Sequence, residues 1–470
     1  MPTTEQNVLA RGFAVALLSL TLSASAGAQQ PQNVAAPGPL TLEQAVRQAV
    51  DRYPAVREQR ARAKAADEGV AVARTAYLPR VDLLWQETRA THNNVFGLSL
   101  PQAVVPPVSG PVLPRSGDSA WGSAAGALIS WDAIDFGQRK AAIDAARAQE
   151  VAASARTAVT ELDVAAAAAD AFLTVLAADA SVRAAQANVD RLQVFANAVR
   201  TLVTNQLRPG IDQSRAEAEL ALARNQLLQA QQTADIARAS LAEAIGRPTD
   251  TIGVAPGTLT ELPPPAAASG AVDIHPAARA ALASVEAVRA RERVLERSAL
   301  PHIALQSAVS GRGSGAVMPG VADTADGLWP RVPNWAVGVS VTLPVTEYFA
   351  VKPRRRVEEQ NELAERAHYD LTIATLRTQQ VRAQAVMKAA AAIAQNMPAV
   401  RSAAEETQLR ARARYDSGLA SITEVAEAQR VLAQAESDDA VARLAVWRAL
   451  LAQSQAAGDL TPFLNQLRRP

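Results

Sequence analysis

The 470-residue chain has no cysteine, which excludes disulfides, thiolate metal sites, a cysteine nucleophile and a lipid-modified N-terminal cysteine. Its 47 basic and 46 acidic side chains leave a net charge of +1, so nothing in the charge balance points to nucleic acid. Histidine is scarce and scattered, at His92, His275, His302 and His368, with no His-Glu-x-x-His pair, and none of the four lysines follows a glycine as a phosphate loop requires. Gly311-Arg312-Gly313-Ser314-Gly315 lies in a low-complexity connection and does not join a strand to a helix. Arg354-Arg355-Arg356 could attract phosphate or anionic lipid, or simply solvate a helix start. No catalytic constellation, cofactor site or metal site is expected. Long apolar runs are also missing: beyond the N-terminus no stretch reaches the ~20 residues of a spanning helix, so any membrane portion must be made of strands.

What the chain does have is alanine, 105 residues of it, beside only 4% aromatics, the mixture expected of long helices with closely approaching backbones. Residues 1–28 read as an export signal: Arg11 precedes the apolar run from Phe13 to Leu22, and Ala26-Gly27-Ala28 offers small residues for cleavage before Gln29. A membrane anchor is the alternative, for which the run is short.

The remainder is a tandem repeat. Tyr53-Pro54 and His275-Pro276 are separated by 222 residues, as are Leu78-Pro79 and Leu300-Pro301. A second offset of 212 then relates Trp131 to Leu343, Asp135 to Glu347, Leu220 to Leu432 and Gly246 to Gly458. Residues 29–246 form the first repeat, 247–272 a Pro-rich linker, 273–460 the second repeat and 461–470 a tail. Each repeat reads as a helix, two strands and a very long helix that turns back on itself.

Strands are expected at about 78–90, 120–132, 301–311 and 335–345. Trp335, Val337, Val339, Val341, Leu343 and Val345 alternate with Ala336, Gly338, Ser340, Thr342 and Pro344, which places Val339 and Val341 toward lipid and Ser340 and Thr342 toward a barrel interior. A soluble sheet packed on helices would show a similar alternation. The long connections around 91–119 and 311–334 suit surface loops, and Pro79, Pro301 and Pro344 suit helix–strand corners or ordinary breaks. In the returning helices Ala216, Ala223, Ala230, Ala237 and Ala244 recur every seven residues, with Leu220, Leu227, Ala234 and Leu241 four later. Ala428, Ala435, Ala442 and Ala449 repeat the pattern. From about 139 to 206 there is neither Pro nor Gly, so a continuous helix would extend ~100 Å. The second such run, 357–417, contains only Pro398.

Taken in order, Leu40-Thr41-Leu42-Glu43-Gln44-Ala45, Tyr53-Pro54, the two Leu-Pro pairs, and Tyr415-Asp416-Ser417-Gly418-Leu419 followed by Ile422, Glu424-Val425, Ala428-Gln429 and Leu432 resemble the TolC family of outer-membrane efflux ducts. The resemblance covers roughly residues 40–460. It implies a mainly α chain with a transmembrane β-barrel portion: four strands from each of three chains close a twelve-stranded barrel, and long coiled-coil helices continue it as a periplasmic tunnel. It further implies a homotrimer in outer-membrane lipid, working with a periplasmic adaptor protein and an inner-membrane transporter. Gly418, Leu419 and Tyr415 look like an adaptor-contacting hairpin tip, with Gly210 and Ile211 as the counterpart in the first repeat. Glu424 and Glu427 look like the acids of a lumen gate, joined by Asp212 at the offset of 212, while Arg215 stands where a partner of Glu427 would be. An arginine common in the family at the position of Ala420 is missing. Without the resemblance these acids would be read as a solvated helix face and the glycines as helix terminators. A periplasmic coiled-coil adaptor or scaffold is the competing class, although an adaptor would carry one hairpin and not a tandem pair.

If the export reading holds, the mature protein begins at Gln29 without an acyl group. Intact-mass measurement checks this, and a retained N-terminus or an added lipid mass would refute it.

Overall fold

The structure, a computed structural model, describes residues 39–91, 119–248, 252–263, 270–315 and 327–467. The expected export signal, most of the long strand connections and part of the linker lie outside these residues.

Two short helices open the fold, α1 (Leu42–Arg52) and α2 (Pro54–Thr75). Thr41 starts α1 with a capping box, its hydroxyl accepting from Gln44 N at 3.3 Å while the Gln44 side chain accepts from Thr41 N at 3.1 Å. Strands β1 (Arg80–Thr91) and β2 (Ser119–Ile134) follow, then the hairpin of α3 (Gln138–Thr204) and α4 (Gly210–Ala244). The second half repeats the order with α5 (Pro276–Ser298), β3 (His302–Ser314), β4 (Val332–Thr342), α6 (Val345–Asp416) and α7 (Ile422–Ala457), ending in α8 (Thr461–Gln466). Pro54 and Pro276 occupy equivalent first turns, where a missing N–H costs nothing. Pro79 and Pro301 stand immediately before β1 and β3, and Pro344 immediately before α6. The Gly-rich stretch at 311–314 is the end of β3 and forms no loop between strand and helix.

At 67 residues α3 is ~100 Å long, and α6 is longer at 72 residues. Proline does not stop α6: the helix starts directly after Pro344 and runs through both Pro353 and Pro398. The rings of both prolines are solvent-exposed. The cost of about 3 kcal/mol for each lost donor is outweighed by the packing of the helix along its length, on α5 near Pro353 and on α7 near Pro398. Most of the seam alanines are inside: Ala216, Ala223, Ala237, Ala428, Ala435, Ala442 and Ala449 are buried, and Ala230 and Ala244 half-buried. Guanidinium–carboxylate pairs lace adjacent helices: Arg60 to Glu161 at 2.7 Å, Arg191 to Glu436 at 2.8 Å and Arg289 to Glu362 at 2.7 Å.

Three regions depart from the expectations. Part of α3 is apolar enough to cross a membrane by composition, contrary to the expectation that no such helical stretch exists, but 56% of that window is buried within the fold. The supposed linker is not loose: Leu40 N donates to Gly253 O at 2.8 Å, Ala255 N donates back to Leu40 O at 2.9 Å, and Ile252 and Leu259 enter the main core. The expected tail is likewise ordered, since α8 buries Phe463 edge-on to Trp447 with ring centroids 6.2 Å apart. Trp447 Nε1 donates to Glu261 O at 2.8 Å, tying the segment between the repeats to α7. Together α1, this strap and α8 form a packed belt around the long helices.

The four strands make one antiparallel sheet in the order β1-β2-β3-β4, with β1 and β4 as its edges. The register aligns Val341 with Ile303, Val339 with Leu305 and Leu305 with Trp131, so most large apolar residues of the four strands, Leu84 and Leu128 excepted, fall on one face. That face is open: Leu83 is 83% exposed, Trp335 79%, Val339 68% and Val341 69%. The opposite face carries Gln86, Ala124, Gly126, Gln306, Ala308, Asn334 and Ser340. Its small residues permit curvature; a Cβ on Gly126 would lie 2.6 Å from Val309 O. Trp121 and Trp131 bracket the exposed face along β2, ten residues apart. This corresponds to ~33 Å of strand, or a ~25 Å band at a ~40° tilt.

Val337 lies at the middle of β4 and Val341 one residue from its end. In lipid, Val337→Arg should cost ~2–4 kcal/mol and Val341→Arg ~0–1 kcal/mol, with Ser340→Arg tolerated on the inner face. Thermal dissociation of the assembled protein measures this profile; equal effects at the three positions would contradict a lipid-facing sheet.

Candidate functional site

The two hairpins turn with the same hydrogen bonds, residue for residue. Gly418 N donates to Tyr415 O and Leu419 N to Arg414 O, at 2.9 and 2.8 Å. In the first hairpin Gln206 N donates to Val203 O and Leu207 N to Leu202 O, both at 2.9 Å. Every partner is related by 212 positions, so the counterpart of Gly418 is Gln206. Both adopt the left-handed conformation that ends a helix, at φ +81° for Gly418 and +63° for Gln206. Gly210, expected at this turn, is instead the first residue of α4, with Ile211 exposed beside it. The search for a glycine missed a non-glycine residue in a glycine's conformation, which the offset alone would have found. The outermost side chains are equivalent leucines, Leu207 at 68% and Leu419 at 71% exposed.

Tyr415 does not face outward. It is 1% exposed, packed edge-on to Phe195 at 5.5 Å, and joins Ala216, Leu220, Ile422 and Val425 in the cluster that holds the hairpins together. Its hydroxyl donates to Asp212 Oδ2 at 3.3 Å, linking the end of α6 to the first turn of α4. The Arg208 guanidinium lies over the Tyr415 ring, 4.5 Å from its centroid, and donates to Tyr415 O. Arg208 is the equivalent, in the other repeat, of Ala420. At this position the first hairpin carries an arginine where the second has alanine. Arg412 lies over Phe195 at 5.5 Å, and Arg215 Nη1 donates to Thr423 Oγ1 at 3.1 Å.

Glu424 and Glu427 share an outward side of α7, while Val425, Ala428 and Gln429 are buried on the other. Glu424 closes a capping box with Ser421: its backbone N donates to Ser421 Oγ at 3.3 Å, and its carboxylate accepts from Ser421 N at 3.4 Å. Arg414 lies 4.0 Å from the same carboxylate. Glu427 pairs with Arg430 at 2.9 Å, and Arg430 also approaches Glu219 on α4 at 3.9 Å. Both acids thus keep more than half of their side-chain surface open while holding a nearby guanidinium.

The model of the outer membrane efflux protein family matches this chain twice, over residues 45–247 and 269–459. The chain belongs to that family. Similar solved folds include the open state of the Neisseria gonorrhoeae MtrE outer membrane channel, 20% identical with a TM-score of 0.71 and 89% of each chain covered. The Campylobacter jejuni CmeC outer membrane channel is 14% identical at a TM-score of 0.71, covering 91% of this chain and 89% of that one. VceC from Vibrio cholerae is 18% identical at 0.68, covering 89% of this chain and 96% of that one. A search of curated proteins finds no match.

The efflux protein is accordingly an outer-membrane exit duct, with its sheet in the outer membrane and its helices in the periplasm. Its family is one of trimeric channels working with efflux-pump components, which removes the pore-less adaptor as a reading. Among the described residues no group of His, Cys, Asp and Glu is gathered as a metal site.

Burial, followed by the Asp212 carboxylate, raises the Tyr415 phenol above its ordinary value of about 10. A raised phenol stabilises the fold fully below the unfolded value, and the contribution is lost as pH climbs past it. Thermal melts should show an alkaline loss above about pH 10 that Tyr415→Phe lacks, alongside a constant deficit of about 1 kcal/mol from the missing bond. Identical alkaline limbs in both proteins would refute the role given to this phenol.

Proposed function

We propose that the tips form the periplasmic gate and docking end of the duct, with Glu424, Glu427 and Asp212 lining a constriction and Leu207 and Leu419 presented to a periplasmic adaptor. An inner-membrane transporter supplies the energy, and this chain conducts passively. The observation that carries the reading is the division of the tip: the Tyr415 cluster is closed and internal, with Asp212 half-buried at its edge, whereas the Glu424 and Glu427 carboxylates and the leucines beside it remain open. Gly210, Ile211 and Gly418 shape the exposed turns around those leucines.

In a trimer each of the three acids occurs three times around one axis. Like charges gathered in a narrow lumen attract cations and bind divalent ions, whereas a solvated outer face does neither. The guanidiniums of Arg414 and Arg430 oppose this charge. Gate opening and arginine withdrawal would therefore change the ring's net charge together.

The test uses Glu424→Gln with Glu427→Gln, because Gln preserves the capping box that Glu424 closes. In planar-bilayer recordings the double variant should lose cation preference and divalent block while still assembling, and Arg430→Gln should strengthen both. Unchanged selectivity in all these variants would return the acids to an exposed helical face.

A further inference from the structure

At the start of each long helix an exposed aromatic side chain stands four residues ahead of a lysine: Phe136, two residues before α3, with Lys140, and Tyr348, in the first turn of α6, with Lys352. The pairs are equivalent through the offset of 212. They use two of only four lysines in a chain whose basic residues are otherwise arginine. In α6 the positions Val345, Tyr348, Phe349, Lys352 and Arg356 share one helical face, spaced by three, one, three and four residues. All five are exposed. Their order is apolar, aromatic, then cationic, leading away from the sheet. The residues that lead into the two helices are exposed and apolar as well, Val341 and Leu343 before α6 and Trp131 and Ile134 before α3.

The neighbouring charges leave Lys352 and Arg356 available and hold Lys140 only at the long end of an ion pair. Arg139 is held by Asp135 at 3.0 Å, Arg354 by Glu347 at 3.2 Å, and Arg355 by Glu292 and Glu296, both at 3.0 Å. Lys140 stands 3.8 Å from Asp144, a carboxylate that also serves Arg147 at 3.3 Å. Lys352 and Arg356 have no ion-pair partner among the described residues. Depth agrees as well. Trp131 and Val341 stand at the edge of the apolar band, so the aromatic rings beyond them fall at headgroup level; Lys352 lies ~5 Å further along the helix, and Arg356 can reach back along its aliphatic stem.

We infer that Lys140, Lys352 and Arg356, beneath Phe136, Tyr348 and Phe349, bind the phosphate of anionic phospholipid in the periplasm-facing leaflet, six aromatic–lysine pairs encircling each trimer. The inference rests on the outer-membrane assignment and is independent of the proposed gate. Aromatic rings fix the depth of the helix starts, and the cations fix which lipid surrounds them.

Native mass spectrometry of the full-length trimer with phosphatidylglycerol against phosphatidylcholine tests it. The wild type should retain phosphatidylglycerol preferentially, with about a fivefold loss of preference for each cation removed. Lys140→Gln, Lys352→Gln and Arg356→Gln combined should abolish the preference, Lys140→Arg with Lys352→Arg should keep it, and Lys64→Gln with Lys388→Gln should leave it unchanged. Soluble glycerol phosphate should not displace the bound lipid. An assembled triple variant with undiminished preference, or equal displacement by glycerol phosphate, would overturn the inference. Bilayer insertion of that variant with normal conductance shows that the membrane assignment stands in either case. If the triple variant fails to assemble, wild-type trimer in phosphatidylethanolamine vesicles with and without phosphatidylglycerol decides: a preference lost at high salt supports the inference, and no preference at low salt refutes it.

Discussion

A backbone N–H or C=O facing lipid has nothing to bond to, and the sheet of this protein ends in two rows of such groups. β1 and β4 are each paired on one side only, while the sheet offers lipid an apolar face. No arrangement of one chain satisfies both conditions, because four strands are half of the smallest closed barrel. Assembly is therefore a condition for the strands to exist in the membrane at all. The same requirement explains the small residues at the centre of the inner face: the sheet must curve toward its neighbours, and Gly126 leaves no room for a Cβ against β3.

From that ring the helices must descend without falling apart, and alanine makes this possible. A seam of alanines lets α3 meet α4 and α6 meet α7 at close range, but each contact buries little area, so length has to supply what side-chain size does not. Larger anchors appear where the helices need fastening. One is the belt of α1, the inter-repeat strap and α8, centred on Trp447 and Phe463. The other is the cluster around Tyr415, which draws both hairpin ends together. The span between them depends on small residues and on arginine–carboxylate pairs that, being partly exposed, contribute orientation more than stability.

Periodicity made most of this architecture legible. Heptads of alanine announced the hairpins, alternation announced the exposed apolar positions of β4, and the two offsets announced the duplication. What escaped were features that local rules misprice. Pro353 and Pro398 carry a breaker's signature, yet a helix supported along one side for 72 residues absorbs them. The strap and α8 are too short to show a period, and their burial depends on Trp447 and Phe463 meeting across distant sequence. Gln206 has no compositional mark of a left-handed residue; the hydrogen bonds around it impose that conformation. Glu424 could be read as a charge from sequence, but its second task as a helix cap emerges only from the partner it shares with Ser421.

The near-identity of the two turns has a counting consequence. Leu207 and Leu419 crown the same hydrogen-bonded loop, so a trimer displays six leucines on six similar bends. Directly beside them the likeness ends: Arg208 is folded onto Tyr415, and at the equivalent place stands Ala420. A protein that grips only the leucine meets six equal seats and can fill them all, whereas one that senses the arginine meets three. The internal repeat thus presents a sixfold pattern at the leucines and a threefold one a single residue further in.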